Sequence, residues 1–146
     1  MREKINLAKE EMKSLNLEEE IKKCEGRGGF FDTYWTKSIE DAEYIKNNAY
    51  KVLGLKTDDH TWVSGCGGVG WSSKIVLLYL GKDTEDIKKI ETPEIETRDR
   101  HNPSLDKKHL QGFNKLGLEF IEQDKVKAYW MNSAGEKGPV YEIKLE

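Results

Sequence analysis

Residues 75–80, Ile-Val-Leu-Leu-Tyr-Leu, are the longest apolar run in the chain. A run of this length is strand-sized and far short of the ~18 apolar residues that cross a bilayer. Ser73 to Leu80 therefore predicts a strand apolar enough to sit at the centre of a sheet. The rest of the chain must supply a core from little material: 35% of its 146 residues are charged, against about 25% in an average soluble protein, and the mean hydropathy is -0.77. Leu, Ile, Val and Phe total 33 residues, just above the ~20% level below which chains tend to stay unfolded. Four Trp and six Tyr add apolar bulk. One domain spanning residues 1–146, with a thin core and a wet surface, is expected.

Ile5, Ala8, Met12 and Leu15 recur on one helical face, and Asn16 with Glu19 resembles a capping box for a second short helix carrying Leu17, Ile21 and Cys24. Residues 1–24 thus read as a helical N-terminal segment. Its stripe serves either packing on the domain's own sheet or a homodimer through that helix. Gly26, Gly28 and Gly29 read as the end of this helix and the start of a loop, and Phe30 to Thr36 as a short strand. Ser38 and Asp41 followed by Ile39, Ala42, Ile45, Ala49 and Val52 predict a helix to about Leu53, with Gly54 as its C-cap. Thr61 to Val63 reads as a strand, Glu85 to Thr97 fits neither period, and Asn102-Pro103-Ser104 predicts a helix bearing Leu105, His109, Phe113 and Leu116, stopped by Gly117. A meander follows over Leu118 to Gln123, Val126 to Asn132 and Val140 to Leu145, the last strand burying Tyr141, Ile143 and Leu145 on one face. The fold class expected is α+β, a largely antiparallel sheet with about three helices. In each aromatic doublet, Tyr34-Trp35 and Tyr129-Trp130, one ring should be core and the other outward.

Charge pattern narrows function. Residues 1–28 carry seven positive and seven negative side chains, residues 82–109 seven and eight. With no basic stripe to release counterions, duplex nucleic acid is not an expected partner. Nor is a membrane, and the charged N-terminus has no apolar signal core, which points to the cytoplasm. Cys24 and Cys66 stand in no metal-ligand spacing.

Between the charged flanks, residues 60–73 read HTWVSGCGGVGWSS, without a formal charge apart from His60. The letters G-x-G-x-x-G are present over Gly65 to Gly70, but a strand follows where a dinucleotide site requires a helix N-terminus. Successive glycines can still expose backbone N–H groups as an anion-binding nest. Trp62 and Trp71 could stack on a base or sugar, and Ser64, Ser72 and Ser73 supply hydroxyls. The candidate binding residues are Trp62, Ser64, Gly65, Cys66, Gly67, Gly68, Gly70, Trp71 and Ser72, with Arg98 and Arg100 as phosphate clamps if their segment meets the glycines. The competing reading is a hairpin in which glycine serves the backbone and the tryptophans are core.

Cys66 with His60, His101 or His109 would be the material of a thiol nucleophile, though no motif ties them together. Asp58-Asp59-His60 and Asp99-Arg100-His101 fall short of the three or four converging groups a metal needs, so no metal and no cofactor is expected. The sequence thus favours a small domain that binds a phosphorylated or nucleotide-like small molecule without transforming it. The alternatives are a protein-interaction module, such as a small inhibitor or adaptor from a mobile genetic element, and a Cys66-dependent enzyme.

Overall fold

The computed structural model describes residues 1–14, 16–63, 69–99 and 112–146, and of residues 62–63, 69–71 and 96–99 the backbone only. Two helices, α1 (Arg2–Met12) and α2 (Leu17–Lys22), precede nine strands: β1 (Gly26–Phe30), β2 (Thr33–Lys46), β3 (Tyr50–Val63), β4 (Val69–Gly81), β5 (Lys88–Glu91), β6 (Ile95–Asp99), β7 (Lys115–Glu122), β8 (Lys125–Met131) and β9 (Lys137–Lys144). A six-stranded antiparallel sheet has the order β1-β2-β3-β4-β5, with β6 also pairing β4, and β7-β8-β9 form a second, three-stranded sheet. The α+β, mostly antiparallel expectation holds, with two helices among the described residues rather than about three.

Alternation along β4 organises three layers. Val76 and Leu78 face a core that holds Ile5, Ala8 and Met12 of α1 and Leu17 and Ile21 of α2. Ile75, Leu77 and Tyr79 point the other way, onto Leu116, Val126, Ala128, Trp130 and Leu145 of the small-sheet layer. A strand with both faces covered needs apolar side chains at consecutive positions, which is why residues 75–80 are an unbroken run. The stripe of α1 is thereby occupied by the domain's own sheet. Leu15 lies outside the described residues. Asn16 makes no capping bond; its Oδ1 accepts from the Ile87 N–H at 3.2 Å and so ties α2 to the segment before β5.

The helix expected over residues 38–53 is instead the hairpin of β2 and β3. The pairing register shifts between Ile39 and Asp41, so one extra residue sits in β2. This bulge puts Ile39 and Ala42, three apart, on the same face of the sheet, where both are buried with Tyr44. Ile45 turns to the opposite, equally covered face. A bulged strand buried on both sides thus imitates helical spacing. The hairpin turns at Asn47, whose Oδ1 accepts from the N–H groups of Ala49 and Tyr50, both at 2.8 Å. Gly54 caps nothing: it lies within β3, where a Cβ would stand 2.9 Å from Leu118 Cδ2.

Three further expectations are corrected. Gly26, Gly28 and Gly29 belong to β1 rather than a loop, and the chain turns at Phe31 and Asp32 inside the single strand read over 30–36. Residues 85–97 resolve into β5 and the start of β6. The helix start at 102–104, with Leu105 and His109, lies outside the described residues, but Leu116 and Gly117 are strand residues of β7, where a Cβ on Gly117 would meet the Tyr129 ring at 2.2 Å. The C-terminal meander is as expected, with Leu145 buried and Tyr141 and Ile143 packed against the same core.

Candidate functional site

Sheet register brings the uncharged window to one end of the molecule. Thr33 pairs with Val63 and Trp62 with Val69, so the β1–β2 turn and the facing ends of β3 and β4 share that end. Among the sequence-derived candidates, Gly70 pairs with Thr61 and Trp71 with His60 across β3–β4. β6 sets Arg98 opposite Trp71, and Gly70 opposite Asp99, so residues about 27 positions apart in sequence become backbone neighbours. Ser64, Gly65, Cys66, Gly67 and Gly68, together with Arg100, His101 and His109, lie outside the described residues. β4, a strand, follows the glycines, so no helix N-terminus is available there for a pyrophosphate.

On the helix side of the sheet, α2 stops short of this end and leaves a cavity of about 190 Å³. Its walls include Ser72 and Lys74 of β4, Thr57 and Asp59 of β3, Lys37 of β2, Cys24 just after α2, and Lys89, Glu91 and Glu94 around β5. Lys74 Nζ stands 3.3 Å from Glu91 Oε1, and Lys89 Nζ 3.4 Å from Glu20 Oε2. Lys37 Nζ lies 5.7 Å from the ring centre of Trp35, within the range of a cation–π contact. Ammonium and hydroxyl donors therefore alternate with carboxylate acceptors, a lining suited to a small polar ligand. Burial pushes the Cys24 thiol up from its ordinary value, with the carboxylate of Glu91 adding to the effect against the ammonium of Lys89. The thiol stays protonated at neutral pH and is a poor nucleophile. No grouping of three His, Cys, Asp or Glu side chains fit to hold a metal occurs among the described residues.

Beneath the opposite face, Lys56 is 4% exposed, with Nζ 3.1 Å from Asp58 Oδ1. The same carboxylate oxygen accepts from Ser73 Oγ at 2.5 Å, and neighbouring Asp41 accepts from the Leu116 N–H at 2.8 Å. Lys56 and Ser73 are both buried; their contacts with Asp58 tie β3 to β4, and the Asp41–Leu116 bond ties the large sheet to β7.

The expectation for Tyr34-Trp35 is corrected: both rings are exposed, 44% and 39%, together with Phe30 at 75% and Phe31 at 83%. Each ring lies over a glycine of β1, Trp35 over Gly28 and Tyr34 over Gly29. Tyr129-Trp130 does split, with Trp130 buried. The sequence reading missed Trp35, Lys37, Thr57 and Lys74. They come together through strand register, which pairs Lys37 with Asp59 and Thr57 with Lys74, and no pattern local to one strand signals it.

No protein-family model matches this chain, and no curated protein or solved structure is similar to it.

Proposed function

We propose that this is a small ligand-binding domain that holds a phosphorylated or nucleotide-like molecule without transforming it. The observation that carries the reading is the position of Ser72, a candidate from the sequence, in the wall of a cavity shared with Lys37 and Lys74. At about 190 Å³ the cavity is smaller than the ~300–1,000 Å³ that encloses a drug-sized ligand. It matches a phosphate-bearing end, donors being supplied by the two ammonium groups and the serine hydroxyl. Trp35 precedes Lys37 by two residues on the same face and is partly exposed, so a base or sugar ring can stack there while the phosphate is held below. The half-buried Cys24 thiol in the cavity wall stays protonated at neutral pH and is a poor nucleophile, which supports binding over catalysis there.

Thermal denaturation against a panel of nucleoside phosphates and sugar phosphates tests this. At least one compound should raise the melting temperature, and Lys37→Ala or Ser72→Ala should abolish the shift in a protein that still folds. A flat panel with well-folded wild-type protein overturns the reading. The second reading, a protein-interaction module acting as an inhibitor or adaptor, is favoured by the exposed aromatic rings of the β1–β2 hairpin.

A further inference from the structure

β1 pairs with β2 alone among the described residues, which leaves its other edge open. Backbone groups along an antiparallel strand point alternately toward and away from the partner. In a hairpin closed by the two-residue turn at Phe31 and Asp32, Phe30, Gly28 and Gly26 direct theirs to Thr33, Trp35 and Lys37. Arg27 and Gly29 therefore direct theirs outward. Edges of natural sheets are ordinarily blunted by charge, proline or a bulge, but β1 is Gly-Arg-Gly-Gly-Phe, with one charge and three residues lacking a side chain.

Two of these glycines are required by the hairpin itself. A Cβ on Gly28 would stand 2.6 Å from Trp35 Cζ2, and one on Gly29 2.8 Å from Tyr34 Cδ1, so each serves as the seat of an aromatic ring. Gly26 is different: a Cβ there would make only ordinary contact with Trp35, at 3.7 Å. Its bare position is an unfilled seat beside the Trp35 ring. The strand also carries a ring with no glycine seat, Phe30, 75% exposed on the same face as Gly26 and Gly28 and in edge contact with Phe31 at 4.3 Å.

We propose that β1 is a self-pairing edge, and that two copies of this chain join antiparallel about Gly28 to fuse their six-stranded sheets. In this register Arg27 of each copy meets Gly29 of the other, so the two outward-directed residues of each strand exchange hydrogen bonds with their counterparts. Gly26 of each copy then faces Phe30 of the other, and the unseated ring fills the unfilled seat against Trp35. Gly28 meets its own equivalent at the two-fold axis, where the absence of side chains permits the close approach of a non-hydrogen-bonded pair. The patch is complementary to itself, as an isologous contact must be, and the register covers the exposed Phe30 and Trp35 rings together. The inference gives the interaction-module reading a definite partner; covering the Trp35 ring competes with stacking of a ligand there, while the cavity wall of Lys37, Ser72 and Lys74 takes no part in the strand pairing.

Sedimentation equilibrium of the full chain over a range of concentrations, combined with amide hydrogen exchange, tests it. Wild-type protein should dimerise, with the Arg27 and Gly29 amides protected. Phe30→Asp should yield a monomer in which those amides exchange rapidly while those of β3 and β4 remain protected. Arg27→Pro, which removes an outward N–H that the hairpin does not use, should also yield a monomer with unchanged circular dichroism. A wild-type monomer at every concentration overturns the proposal. So does a dimer indifferent to both substitutions, or a monomer that co-sediments with phosphatidylcholine–phosphatidylserine vesicles through Phe30 and Phe31.

Discussion

The indole of Trp35 lies across Gly28, its cross-strand partner, so closely that a Cβ on that glycine would stand 2.6 Å from Cζ2. Gly28→Ala must push the indole off the strand. Overpacking of this kind costs roughly 1–3 kcal/mol in a closed core, and the open hairpin should place Gly28→Ala near the lower end. Gly117→Ala should cost more, because the Tyr129 ring, 2.2 Å from the added Cβ, lies over a buried position of β7. Urea denaturation of the two variants should rank them in that order.

Lys56 and Asp58 bear on stability in another way. Removing one member of a buried ion pair leaves the other uncompensated, at a cost of about 3–5 kcal/mol. Asp58 keeps part of its contact with water and keeps the Ser73 hydroxyl, so Lys56→Ala should fall at about 3 kcal/mol. The double variant Lys56→Met, Asp58→Leu should recover most of the loss, because isosteric apolar replacement of a buried pair is often neutral. Denaturation midpoints of the single and double variants measure both effects.

Stability should also fall at both pH extremes. Hydrogen bonding to the Lys46 ammonium holds the Glu11 carboxyl below its ordinary 4.5, and Lys23 does the same for Glu20. A depressed carboxyl contributes stability above the unfolded value and loses it as the pH falls through the folded one. Melting temperature should therefore drop below about pH 4.5, less steeply in a Glu11→Gln, Glu20→Gln variant. Burial and the Glu11 carboxylate push the Tyr44 hydroxyl up from 10.0. Its contribution is complete below about pH 10 and lost as the pH rises, a decline that Tyr44→Phe should remove.

Cys24 should resist alkylation. In a Cys66→Ser protein the remaining thiol should react with iodoacetamide more slowly than a free cysteine, and accelerate only above about pH 9, because burial disfavours the thiolate. A fast reaction at neutral pH would show that the thiol is neither buried nor protonated.

Much of the outer framework is legible locally. The stripe of Ile5, Ala8 and Met12 lies at helical spacing, and α1 needs only one covered face to express it. β9 alternates cleanly because its outer face meets solvent. The β2–β3 hairpin is illegible for the opposite reason: covering layers on both sides, with a bulge at residue 40, erase the period of two. The proposed binding site is hidden by distance along the chain. Ser72 and the glycine window stand out by their lack of charge, but Lys37, Asp59 and Lys89 reach the same cavity through strand register, which no local pattern encodes. Lys37 and Lys89 look like any other surface charge in a chain this polar.

The central claim is that the helix-side cavity is the binding site, and its most direct test is two-dimensional amide NMR of the labelled protein titrated with a nucleoside diphosphate. Saturable shifts should gather at Lys37, Thr57, Asp59, Ser72 and Lys74 and at the indole N–H of Trp35. Shifts confined to β7–β9, or none at all, would contradict it.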